Sequence, residues 1–272
     1  MALDFLLLRM IVLVAGCSAA AYTDAKTGLI LDWITYPMIA AGIALNLLQG
    51  EWLWLLAGTI VFAIGYAVYY AGKVGGGDVK LFTAIAFLLP FYQGQIFLLN
   101  ALFAACILGV VFYSAYYVVK YARKGIDWKE NRQEMQKAVV FGIVLAAWLA
   151  AMLFLEIISF SAFALLAFAF ALALLFLAFE KGIRHSFFLR LVPVGKLEED
   201  EVIAVEFLDP ELKKKLGLGI KGVFGEKEIE RLKKAKVKKV PVYRGMPPFG
   251  PFILLGCIAA MIWPNIIEML FI

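Results

Sequence analysis

The sequence predicts an all-α integral membrane bundle of about eight transmembrane helices, the fourth short, with a small α+β cytoplasmic subdomain before the last helix. Three observations carry that expectation. Hydrophobic residues make up 64% of the chain and charged residues only 17%, with a mean hydropathy of +0.88. A soluble chain of 272 residues could not bury that much apolar surface. Apolar runs long enough to cross about 30 Å of hydrocarbon recur along the chain. Finally, every Lys and Arg except Arg9 falls in, or within about two residues of, the loops at 24–32, 73–78, 120–137 and 181–248. Those are alternate loops if there are eight crossings, and the positive-inside rule then makes them cytoplasmic with both termini outside.

The apolar runs lie near 3–23, 33–49, 52–72, 79–92, 96–119, 138–157, 160–180 and 249–270. The first starts at Asp4 without a basic region and is too long for a signal-peptide core, so it is expected to stay in the mature protein. Its Arg9 is expected to snorkel outward. Asp32 is expected to cap the second helix. Trp52, Trp54, Tyr69 and Tyr70 fit membrane-interface belts. The fourth run, 79–92, is short, but dropping it would invert every later loop. Three units are expected: membrane helices in 1–181, a cytoplasmic subdomain in 182–247 and a last transmembrane helix in 248–272.

Within 182–247, Val202–Leu208 reads as a strand and Glu226–Ala235 as a helix. The lysine-rich stretch Lys233–Lys239 is placed close to anionic headgroups. His185 reads as an interfacial charge. Pro241, Pro247, Pro248 and Pro251 mark an extended approach to the last helix. Cys17, Cys106 and Cys257 lie apart in apolar runs without CxxC spacing, so they read as small core residues. No zinc site, other metal or cofactor is called for. The net charge of +5 is explained by topology, which leaves membrane lipids and no nucleic acid as expected partners.

The segment Lys73, Val74, Gly75, Gly76, Gly77, Asp78, Val79, Lys80 places a carboxylate on a glycine run between two apolar segments. An ionisable residue at a membrane helix end is costly and points to function. Asp24 ends the first apolar run, and two crossings separate it from Asp78, so both carboxylates lie on one face. Two neighbouring carboxylates do not both ionise easily and titrate as a unit. That state suits peptide hydrolysis, one member taking a proton from water and the other donating to the scissile carbonyl. Glycines permit close approach of an extended substrate and unusual torsions. Lys26, Lys73 and Lys80 are candidates for electrostatic tuning of the pair, although positive-inside placement also explains them.

Gly75 to Asp78, followed by Val79, Lys80 and Leu81, resembles the GxGD segment of the type IV prepilin peptidases and archaeal preflagellin peptidases. Tyr22–Ile39 (YTDAKTGLILDWITYPMI) is similar to that family's first aspartate region, and Pro247–Gly256 (PPFGPFILLG) to its final-helix entry. The resemblance implies a membrane aspartyl endopeptidase that removes a short basic leader from pilin-like or archaellin precursors at the cytoplasmic face. It makes Asp24 and Asp78 the catalytic pair and Gly75 and Gly77 the motif glycines, and gives Gly76 a place in the substrate approach. Many bacterial members carry a cysteine tetrad near the N-terminus and also N-methylate the product. This chain starts almost directly in its first helix, so methyltransferase activity is not expected. Two alternatives stand beside this reading. One is another GxGD protease, presenilin-like or signal-peptide-peptidase-like, although those place their aspartates on adjacent helices. The other is a proton- or cation-coupled transporter, although no inverted repeat is visible.

Overall fold

A computed structural model of the chain describes residues 2–70, 74–197, 202–204, 207–208, 230, 232–233, 237, 239–245 and 247–271. The main helices are α1 (Ala2–Thr27), α2 (Asp32–Gln49), α3 (Trp52–Tyr70), α4 (Gly76–Leu88), α5 (Phe97–Lys124), α6 (Arg132–Phe154) and α7 (Phe160–Ala178). A one-turn α8 (Glu180–Ile183) and the final α9 (Gly250–Ile262) follow. Among the described residues five helices suit a membrane crossing by length and composition: α1 from Phe5 onward, α3, α5, α6 and α7. The helices α2, α4 and α9 are not among these five.

Backbone chemistry sets the helix ends. Gly28 adopts a left-handed φ of 72° and returns its N–H to the Asp24 carbonyl at 2.7 Å, closing α1. Leu89 precedes Pro90, whose ring disfavours helical torsions in its neighbour, and Leu89 leaves the helix at φ −149° and ψ 70°. So α4 stops at Leu88, short of the predicted 92. The freed chain forms a small hairpin, β1 (Phe91–Tyr92) with β2 (Gln95–Ile96). Its two turn residues, Gln93 and Gly94, both have positive φ, as a two-residue type I′ turn requires. Pro264 acts likewise on the last helix, which ends at Ile262 and gives way to turns and a 3-10 turn at Glu268–Leu270.

The principal core joins α1, α2, α4, α5 and α9 through Leu13, Cys17, Leu81, Ile85, Phe97 and Ile253. Helix α4 is the hub, with Leu81 and each residue from Thr83 to Leu88 buried. Small residues let its neighbours close in. A Cβ on Gly42 would stand 2.7 Å from Phe87 Cβ, and Gly58 also packs directly on the Phe87 ring. Cys17 and Cys257 are buried in this core, whereas Cys106 is exposed on α5 and is not the core residue its apolar run suggested.

Arg9 departs furthest from expectation. It does not snorkel; it is 1% exposed and donates to the Leu88 carbonyl at 2.9 Å and to that of Phe87 at 3.5 Å. Its guanidinium also lies 4.5 Å from the centre of the Trp54 ring. Pro90 ends α4 early and leaves its last carbonyls without helical donors. A fork of N–H donors at the negative end of the helix dipole meets them. Asn46 of α2 adds a second donor to the Phe87 carbonyl at 2.9 Å.

Beyond α8, β3 (Leu189–Pro193), β4 (Val202–Ile203) and β5 (Lys239–Tyr243) form an antiparallel sheet in the order β3-β5-β4. Val192, Val240, Val242 and Leu232 fill its apolar side. Pro241 sits in the central strand, where a proline cannot donate, and its carbonyl accepts from Ala204 N at 3.0 Å. The predicted strand at 202–208 is observed as Val202–Ile203. Most of the predicted helix Glu226–Ala235 lies outside the described residues, as do Lys73 and much of Lys233–Lys239; Leu232 and Lys233 are helical. His185 Nδ1 lies 3.0 Å from Glu130 Oε1.

Candidate active site

Helices α1 and α4 pack on each other. Arg9, early in α1, meets the end of α4, so the two helices run antiparallel. The last turn of α1 thereby meets the first turn of α4. These turns carry Asp24 and Asp78.

Asp24 is buried, 6% exposed, at the C-terminal end of its own helix, where the dipole disfavours a negative charge. Its stabilising partner comes from 226 positions along the chain: Gly250 N donates to Asp24 Oδ2 at 2.6 Å. Gly250 is the first residue of α9, so this N–H is one of the orphan donors at a positive helix end. A Cβ there would lie 3.0 Å from Asp24 Oδ2 and 3.1 Å from Asp24 Cβ, so a larger residue would press on the carboxyl. The PFGPF segment therefore belongs to the site.

Asp78 lies at the mouth of α4, outside the five candidate spans, and is half-buried. Burial, and then the Asp24 carboxylate, push its carboxyl up to about 6. The α4 dipole acts in the opposite sense, but a helix end contributes about 0.3–1 kcal/mol. The rise from 3.8 to about 6 corresponds to about 3 kcal/mol, so burial and like charge win. Asp78 does not cap its helix; the cap position is Gly75, which makes no side-chain bond.

The three glycines are needed for space, not for torsion, since none of them has positive φ. A Cβ on Gly77 would meet Ile30 Cβ at 2.9 Å and the Ile30 carbonyl at 3.2 Å. One on Gly76 would lie 3.3 Å from the Tyr69 ring, and one on Gly75 would lie 3.2 Å from Asp78 Oδ2. The run thus seats the start of α4 against the loop after α1 and leaves the Asp78 carboxyl its room.

Lys80 and Lys26 are engaged elsewhere. Lys80 Nζ pairs with Asp32 Oδ1 at 2.6 Å and lies 5.1 Å from the Tyr36 ring centre. Lys26 lies over the Tyr22 ring, one turn earlier on α1, at 5.6 Å. Asp32 is the first residue of α2 and not its cap, which is Leu31, because its carboxylate is drawn to Lys80. The structure thus brings together Asp24, Asp78, Gly75 and Gly77 and adds Ile30 and Gly250. The signal for Gly250 was present in PFGPF, but nothing local in the sequence says which residue its N–H meets.

Residues 11–113, which include the segment that holds both aspartates, match the model of the type IV leader peptidase family. Over 93 residues the chain is 37% identical to "Prepilin peptidase EppA" of Methanothermobacter thermautotrophicus, a match covering 31% of this chain and 24% of that protein. The chain thus spans about a quarter of the length of this curated relative. No solved structure matches. Both comparisons support the prepilin and preflagellin peptidase family, and the family match covers the segment that holds both aspartates.

Proposed function

We propose that the protein is a membrane aspartyl endopeptidase that removes the short basic leader from type IV pilin-like or archaellin precursors at the cytoplasmic membrane face. The observation that carries this reading is that two antiparallel helices set Asp24 and Asp78 at the same end, where burial, and then the Asp24 charge, favour the protonated Asp78. The match of residues 11–113 to the leader peptidases supports it. The placement of basic residues supports eight crossings, with α2, α4 and α9 completing the five long spans and both termini outside. A presenilin-like enzyme is less well supported, because α2 and α3 intervene between the two aspartate helices.

In the proposed reaction a water lies between the carboxyls and the scissile carbonyl. The carboxylate takes one proton from the water as its oxygen bonds to the carbonyl carbon, and the carboxylic acid gives its proton to the carbonyl oxygen. The resulting gem-diol collapses. One of its hydroxyls returns a proton to the second aspartate, the C–N bond breaks, and the first aspartate protonates the leaving nitrogen. Both carboxyls end as they began.

The test is co-expression with a pilin-like precursor. Wild-type protein shortens the precursor on a gel, whereas Asp24→Asn and Asp78→Asn leave it at full length while still accumulating in membranes. Processing by either variant at the wild-type level refutes the pair.

A further inference from the structure

The two carboxyls are not equivalent, and the difference originates in α9. Phe249 is the cap of that helix and Pro251, its second residue, has no N–H. Phe252 and Ile253 return their N–H groups to the Phe249 carbonyl at 2.9 and 3.1 Å. The Gly250 N–H is thus left to point out of the helix, and it lies on Asp24 Oδ2. The strand of chain that presents it is pinned from α5, where Tyr113 Oη donates to the Pro248 carbonyl at 2.5 Å. The Tyr113 ring also packs edge-on against Phe252 at 5.0 Å, and the Phe249 ring lies over Gly109 of the same helix, 3.1 Å from where a Cβ would be.

We infer that the N-terminus of α9, positioned by Tyr113, assigns the roles within the dyad: Asp24 is the ionised, water-activating member and Asp78 carries the proton. This rests on the proposed peptidase reading. The Gly250 N–H at 2.6 Å makes Asp24 Oδ2 a hydrogen-bond acceptor, the arrangement that suits a water-activating carboxylate. Among the described residues, the groups facing Asp24 are Asp78 from α4, Tyr113 from α5 and the positive end of α9. Lys26 on its own helix is turned to Tyr22, and Lys80 and Asp32 are paired with each other. Among the described residues no hydrogen-bond donor holds the Asp78 carboxyl, and its burial favours the neutral acid. Tyr113 touches no reacting atom and acts as a positioning residue through Pro248 and Gly250.

Two experiments on the full chain in detergent test this. In infrared spectra at pH 5, the carbonyl band of a protonated carboxyl is expected in wild type and in Asp24→Asn but not in Asp78→Asn. A band lost in Asp24→Asn and kept in Asp78→Asn overturns the assignment. This measurement needs no substrate, so it decides the inference even if leader cleavage itself fails. With a synthetic peptide of a short basic leader joined to a hydrophobic segment, Tyr113→Phe is expected to lower kcat about tenfold with KM unchanged. The acidic limb of its pH–rate profile moves to higher pH. A Tyr113→Phe variant with the wild-type profile overturns the positioning role, whereas a wild-type protein inert toward the peptide counts against the peptidase reading alone.

Discussion

The two ends of the α1–α4 pair treat charge in opposite ways. At one end Arg9 is buried against the last carbonyls of α4, with Gln49 Oε1 3.4 Å from Nη2. A positive group meets the negative end of a helix, and the contact locks the register of the two helices. At the other end the same helices bring two carboxyls together, and one of them is pushed up to about 6. The first end stabilises the fold, and the second strains it. An ionisable group buried for stability is matched to its surroundings, whereas a pair of like groups held together points to chemistry.

The largest stability effect is expected at the locked end. Arg9→Met leaves the buried Leu88 carbonyl unmet, while Asn46 still serves that of Phe87, and should lower stability by about 2–4 kcal/mol, read as a fall in Tm in detergent. At the strained end the sign reverses. The folded protein holds the Asp78 proton up to about pH 6, while the unfolded chain releases it near 3.8. Stability from this site is therefore full below 3.8 and is lost as pH rises to about 6, a loss of about 3 kcal/mol. Asp78→Asn should accordingly raise Tm at pH 7 while abolishing cleavage, and should flatten the dependence of Tm on pH across that interval. A lower Tm for this variant would mean that the two ends do not differ in this way.

Smaller substitutions sharpen the contrast. Gly77→Ala gains up to about 1 kcal/mol of helix propensity but drives a Cβ into Ile30, an overlap that costs about 1–3 kcal/mol. Net destabilisation of about 1 kcal/mol is expected, visible by thermal melting. Least affected should be Lys80→Met, since its pair with Asp32 is largely solvent-exposed. A change within about 0.5 kcal/mol is expected, and cleavage should persist.

Much of this was legible in the sequence. Apolar runs located the helices, and the distribution of basic residues leads to the expectation that Asp24 and Asp78 share one side of the membrane. Helix ends were less legible, because Pro90 and Pro264 stop helices whose apolar composition continues past them. Arg9 was misread because an arginine in an apolar run has two outcomes, reaching water or meeting carbonyls. Only the early end of α4 decides between them. The bond from Gly250 to Asp24 spans 226 positions and uses a backbone N–H, so no side-chain pattern encodes it. The glycine run was recognised, but its reason was not torsional freedom. Its glycines make room for Ile30, Tyr69 and the carboxyl of Asp78.

The most direct test of the shared proton is the pH dependence of kcat/KM for leader cleavage by the wild-type protein, since that ratio reports groups in the free enzyme. The acid member must keep its proton, so kcat/KM should fall as pH rises past about 6. A kcat/KM that climbs steadily from pH 5 to 8 would mean that Asp78 works ionised, and would contradict the account.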